Sequence, residues 1–227
     1  MPATKVVDLI NRAKIILQDP DGTRWPEDEL LGWLNDAQMA IVNRRPDALV
    51  VNTQFQCAEG TKQSLATVSN DAFRLIKVYR NTTVGTVVRS IHGGILDDQM
   101  QDWHFQDPTE NVRHYVFDPK DPKHFYVYPP AKAGVMLDLA YTRSPAVITI
   151  ALADLQTGVA TDTIELDDCW CNALLDFMLY RAFGKDSDYA PNQQRAMAHY
   201  QAFATAIGDK SQPDAGMSPM PLPNVGA

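Results

Sequence analysis

The apolar residues of this 227-residue chain change their spacing twice, and those two changes constrain its fold more than any other feature. Up to about residue 48 they recur every three or four positions, as a helix that buries one face requires. Between about residues 50 and 150 that period is lost, and β-branched and aromatic residues take over. After about residue 165 the helical period returns, and it stops near Gly208. A chain written in this order predicts a helix pair, a β region and a second helix pair.

In the first segment, Val6, Leu9, Ile10, Ala13, Ile16 and Leu17 predict a helix with Thr4 as its N-cap. Asp19-Pro20-Asp21-Gly22 is turn chemistry and ends it. A second helix is predicted from Pro26, with Glu27, Asp28 and Glu29 complementing the positive end of its dipole. Arg44 and Arg45 stand at its negative end, and Pro46 stops it. Near the other end of the chain, Leu166, Trp170, Ala173, Leu174 and Phe177 mark a third helix. Ala196, Tyr200, Phe203 and Ile207 mark a fourth, which begins near Pro191.

The middle region predicts strands at Phe73–Arg80, Thr86–Ile91, His114–Phe117, Phe125–Tyr128 and Val135–Thr142, with a short helix over Ile95–Trp103. Val135–Thr142 alternates cleanly, with Val135, Leu137, Leu139 and Tyr141 on one face. The last three strands are joined by short turns, which predicts an antiparallel meander. The fold class is therefore α+β: a helical bundle built from the N- and C-terminal helix pairs, with an inserted antiparallel β-rich lobe and an extended C-terminal tail. The predicted boundaries are residues 1–48 and 160–208 for the bundle, 49–159 for the insertion and 209–227 for the tail. The tail carries Pro213, Pro219, Pro221 and Pro223 and few large apolar residues, so it is expected to be an extended arm.

Charge and cysteine count exclude several classes. The formal net charge is −8, from 28 acidic and 20 basic residues, which disfavours a protein that grips nucleic-acid phosphates over its whole surface. Three cysteines, an odd number, disfavour a disulfide-stapled secreted module. The opening residues hold no apolar run of signal-peptide length, and no stretch is long enough to span a membrane, so a non-exported protein without a membrane partner is expected.

A search for chemistry returns little. Cys169 and Cys171 stand two apart on a predicted helix, pointing about 200° apart, so they are expected to be packing residues and not joint metal ligands. His92, His104, His114, His124 and His199 show no paired metal spacing. His92-Gly93-Gly94 reads as a turn, with no Gly-x-Ser-x-Gly elbow to complete a hydrolase site. Asp97, Asp98 and Asp102 form an acidic cluster. Asp98 and Asp102 would share a helix face and could hold a hard cation, although a solvated acidic face is the simpler expectation. No catalytic, cofactor-binding or metal-binding set is expected, and no cofactor.

Three blocks carry a family resemblance. Trp33-Leu34-Asn35-Asp36-Ala37-Gln38, followed by Ile41-Val42 and Arg45-Pro46-Asp47-Ala48, is similar to the N-terminal signature of the head-to-tail adaptor (connector) proteins of tailed bacteriophages. His114-Tyr115-Val116-Phe117-Asp118 with Asp121-Pro122, and Phe125 through Pro130, resemble that family's β region. Leu179 through Asp186, with Tyr189-Ala190 and Arg195 through Tyr200, resemble its C-terminal helix pair. The blocks fall in family order over about residues 30–208.

The resemblance implies a non-enzymatic virion protein, made in the host cytoplasm and placed at the neck. It would form a homo-oligomeric ring, commonly of twelve copies, connecting the portal protein to a tail or nozzle protein. DNA would pass through its channel without specific binding. The C-terminal arm is the candidate partner-binding element, with Met217, Met220, Leu222 and Val225 as the residues that would anchor in grooves. The alternatives are a tail-completion or neck protein elsewhere in the virion, or a metal-dependent accessory factor built on Asp97, Asp98 and Asp102.

Overall fold

A computed structural model describes residues 4–209. The described residues divide into two compact units, one of residues 4–45 and 146–209 and one of residues 46–145. Residues 146–159, assigned above to the insertion, fall with the helical unit, and residues 46–48 fall with the β unit.

In the helical unit, α1 (Val6–Leu17) and α2 (Glu27–Arg44) precede the insertion. A short α4 (Leu152–Thr157), α5 (Cys171–Lys185) and α6 (Ala190–Asp209) follow it. Of the predicted α1 stripe, Val6, Leu9, Ile10, Ala13 and Leu17 are buried, whereas Ile16 is 46% exposed; α2 buries Leu30, Leu34, Ala37 and Ile41, with Trp33 half-buried. Two boundary expectations change. Lys5, not Thr4, takes the N-cap position of α1, with no side-chain cap, because Thr4 is drawn elsewhere: its N–H donates to Asp168 Oδ1 at 2.7 Å. Pro26 takes the N-cap position of α2 and not its first turn.

Residues 146–165 run over the bundle as a strap held by polar side chains of α2. Asn35 bonds both peptide groups of Ile148, and Gln38, fully buried, accepts the N–H of Glu165 at 2.9 Å. The strap then meets the chain just before and at the start of α1, where Val6 N–H donates to the Asp162 carbonyl and Ile164 N–H to that of Thr4.

The β unit holds seven strands: β1 (Val50–Gln56), β2 (Gly60–Ser64), β3 (Ala72–Asn81), β4 (Arg89–Ser90), β5 (His114–Phe117), β6 (His124–Ala131) and β7 (Met136–Arg143). They form two sheets, ordered β1-β7-β3 and β2-β6-β5-β4. The predicted meander is corrected here. β5 and β6 pair antiparallel, but β7 leaves them and lies between β1 and β3 in the other sheet. β7 is the central strand of its sheet, and Ala140 and Thr142 on its second face are buried as well as Leu137 and Leu139; there the Thr142 hydroxyl donates to the Pro46 carbonyl. The named strands of the lobe pair antiparallel except β4, which pairs parallel with β5, and an isolated parallel bridge joins Thr109 to Ala131.

β4 is also shorter than predicted. Only Arg89 and Ser90 of the Thr86–Ile91 stretch pair as a strand, while Val87 is 68% exposed. Pro129 and Pro130, which fall between the predicted strands Phe125–Tyr128 and Val135–Thr142, lie inside β6. Proline is tolerated there because the ladder uses its carbonyl: Thr109 N–H donates to Pro130 O at 2.7 Å. The inner faces of the two sheets share one core, in which Phe55 of β1 meets Phe125 of β6 with ring centroids 5.4 Å apart.

Candidate partner-binding cleft of the helical unit

A cleft of about 680 Å³ opens in the helical unit where the end of α1, the loop after it, the end of α5 and the start of α6 come together. Local chemistry builds each wall. α1 stops because Gln18 adopts a left-handed conformation at φ 56°, returning its N–H to the Ile15 and Lys14 carbonyls. Asp19 then gathers the loop, accepting the N–H groups of Thr23, Arg24 and Trp25 at 3.1, 2.8 and 2.9 Å. Burial pushes the Asp19 carboxyl up, but those three amides and Lys14 outweigh it and hold the group below its usual range.

The floor is aromatic. Trp25 is buried, and its indole N–H donates to the Ala182 carbonyl at 3.0 Å. Phe183 is buried beside it and stacks on His199 at 5.7 Å and 11°. His199 is oriented by Asp176, 2.9 Å from its Nδ1.

The rim is cationic and rich in hydrogen-bond donors. Arg24 pairs with Asp186 and lies 5.3 Å over the Trp25 ring. Arg195 lies 5.6 Å over Phe183, and Asn192 donates to Asp186 Oδ2 at 2.6 Å. Ile16 and Tyr189 stand at the mouth, 46% and 60% exposed. None of the lining residues is a serine, threonine or cysteine, and the one hydroxyl among them is the phenol of Tyr189. Its chemistry is that of a binding groove, apolar at the base and donor-rich at the edge.

The residues singled out from sequence end up elsewhere. Met217, Met220, Leu222 and Val225 lie outside the described residues. The acidic cluster does not assemble as expected. α3 spans only Gly93–Gln99, so Asp102 falls beyond it and shares no helix face with Asp98, while Asp97 accepts the Trp103 indole N–H at 2.9 Å. His92, read as part of a turn, is the N-cap of α3, its Nδ1 accepting the Gly94 N–H. Cys171 is buried and Cys169 exposed. Among the described residues no group of three histidines, cysteines or acidic residues is placed to hold a metal ion.

The cleft was not legible in the sequence. Trp25 falls between the predicted turn at Asp19–Gly22 and the helix predicted from Pro26, and Gly184–Asp188 falls between the third and fourth predicted helices. The one available signal was the density of aromatic and basic residues on either side of those two interruptions.

Comparison with known proteins gives the chain its class. The family model described as SU10 adaptor protein matches residues 4–223. The chain belongs to this family of bacteriophage head-to-tail adaptors and is accordingly a structural component of the virion; the family is not an enzyme class. None of the curated proteins searched matches the chain. Among the described residues no helix is long and apolar enough to cross a membrane.

Proposed function

We propose that this protein forms a homo-oligomeric ring of twelve copies at the neck of the virion, connecting the portal protein to a tail or nozzle protein and extending the DNA channel. The observation that carries the proposal is the family match, which spans both halves of the helical unit and the whole β unit. A ring of identical subunits uses heterologous contacts, with different surfaces meeting at each joint, and the closing rotation sets the copy number. The C-terminal arm, with Met217, Met220, Leu222 and Val225, is the element that engages a partner, and repetition around the ring multiplies each weak contact.

The charge distribution supports a division of labour. The β unit carries 11 acidic and 10 basic residues, a net −1, whereas the rest of the chain carries 17 and 10, a net −7. If DNA slides past a repelling wall, the helical unit supplies that wall.

The test is to mix the purified protein with its cognate portal and count subunits by electron microscopy. A twelve-membered ring seated on the portal is expected. A protein that stays monomeric and ignores the portal overturns the proposal, and density elsewhere in a map of the particle assigns the chain to another part of the neck or tail.

A further inference from the structure

We propose that the cleft between α1, α5 and α6 is the resting seat of the chain's own C-terminal arm, with Pro219–Val225 lying across Ile16, Tyr189 and the arginines that overlie Trp25 and Phe183.

Chemistry is the first support. In this segment Pro219, Pro221 and Pro223 alternate with Met220, Leu222 and Asn224. Proline fixes φ near −65°, so such a segment is already close to a polyproline II helix and loses little entropy on docking. Segments of this kind are recognised by aromatic-lined grooves. Proline also supplies carbonyls without N–H groups, leaving the segment with more acceptors than donors. The cleft has the complementary make-up: exposed apolar surface of Ile16 and Tyr189 at the mouth, and the guanidinium groups of Arg24 and Arg195, lying over the buried Trp25 and Phe183 rings, as donors along the edge.

Reach is the second. α6 has 20 residues, and at about 1.5 Å per residue it spans roughly 30 Å. Its first turns form one wall of the cleft, and the arm begins beyond its far end. A polyproline II segment advances about 3.1 Å per residue, so ten residues, Lys210–Pro219, running back along α6 cover about 31 Å. That brings Pro219 level with the cleft and leaves Met220–Val225 to fill it.

The third support is that the mouth is open. Ile16 and Tyr189 present apolar surface that no described residue covers. The seat concerns the free chain and stands whether or not the ring docks on a portal.

The full-length chain tests this directly. A benzophenone photo-cross-linking side chain replaces Met220, the protein is irradiated at low micromolar concentration, and the adducts are mapped by mass spectrometry. Expected are cross-links within one chain to residues 16–25 or 183–199. They should fall at least several-fold when Tyr189→Ala and Arg195→Glu are combined. Both side chains are exposed, so an unchanged circular dichroism spectrum is expected to confirm that the fold persists. Adducts that join two chains, adducts mapped elsewhere, or none at all overturn the proposal. The ring reading is unaffected by any of these results, since it fails only in the portal experiment.

Discussion

Asn35 and Ile148 exchange two hydrogen bonds: the Ile148 N–H donates to Asn35 Oδ1 and the Asn35 Nδ2 donates to the Ile148 carbonyl, both at 3.0 Å. The side-chain amide thereby replaces a neighbouring strand for one peptide of the strap. The device recurs twice in the β unit. Gln63 clamps both peptide groups of Ala58 at 2.8 and 2.9 Å, and Asn81 clamps those of Val112 at 3.0 and 2.7 Å. A planar primary amide presents one donor and one acceptor side by side, the same pattern that a peptide offers across a ladder. Asn35→Leu removes both bonds and leaves Ile148 without its partner. The expected result is faster amide hydrogen exchange confined to about residues 146–150 and a loss of about 1–2 kcal/mol in global stability. Unchanged exchange there would show that the strap is held by other contacts.

Asn81 is the more consequential clamp, because it is 1% exposed and its amide also reaches Thr86 and Asn111. Asn81→Ala leaves the buried N–H and carbonyl of Val112 without that partner, at about 1–3 kcal/mol each before relaxation. A net destabilisation of about 2–4 kcal/mol is expected in urea denaturation. The whole loss should appear in the midpoint with the slope preserved.

Trp170 packs at the start of α5, buried, with the guanidinium of the buried Arg45 5.8 Å over its ring and reaching on to the Ile207 carbonyl at 3.3 Å. Trp170→Ala should cost about 3–5 kcal/mol, since it opens a cavity and uncovers the arginine. A change below about 1 kcal/mol would mean that the site collapses around the loss.

Burial alone pushes the Cys57 thiol up to about 12, so almost none of it is thiolate at neutral pH. Cys171 is also buried, whereas Cys169 faces solvent. Titration of the native protein with a thiol-reactive chromogen should therefore give one fast equivalent, assigned to Cys169. The other two should react only as the protein unfolds. Two fast equivalents would contradict the described burial.

Asp168 gives a pH signature. The side-chain and backbone hydrogen bonds from Thr4 hold its carboxyl below the ordinary 3.8. Arg80, hydrogen-bonded at 2.6 Å, does the same for Asp138. A carboxyl depressed in the folded state binds its proton more readily when unfolded. Its stabilisation is present above pH 3.8 and is lost as the pH falls from there through the folded-state value. Urea midpoints measured from pH 7 downward should hold through mildly acidic pH and decline below about pH 4. Asp168→Asn should flatten part of that decline. An unchanged acid limb would place the loss on other carboxylates.

The helices were legible because burial of a helix face needs only neighbours three and four residues away. Val6 through Leu17 and Leu30 through Ile41 show that period without outside information. β7 was legible for the same local reason at period two. β1 and β2 were missed because their sequences, Val-Val-Asn-Thr-Gln-Phe-Gln and Gly-Thr-Lys-Gln-Ser, are mostly polar and bury only Phe55, Thr61 and Gln63. Their strand character comes from pairing with β7 and β6, far along the chain. The three clamping amides give no local signal for an equivalent reason: each partner lies in a different element or beyond a turn.

By itself, the sequence determined where the chain is helical, where it is extended, how much charge it carries and, through its blocks of similar residues, which family it belongs to. These are properties of near neighbours or of simple sums. The tertiary structure alone decided that β7 joins β1 and β3 and not β6, that Asn35 holds Ile148, and that Trp25, Phe183 and Tyr189 line one cleft. Each of these joins residues separated along the chain, Trp25 and Phe183 by more than 150 positions. Periodicity cannot encode such choices; they are made by which apolar faces and peptide groups find partners when the core closes.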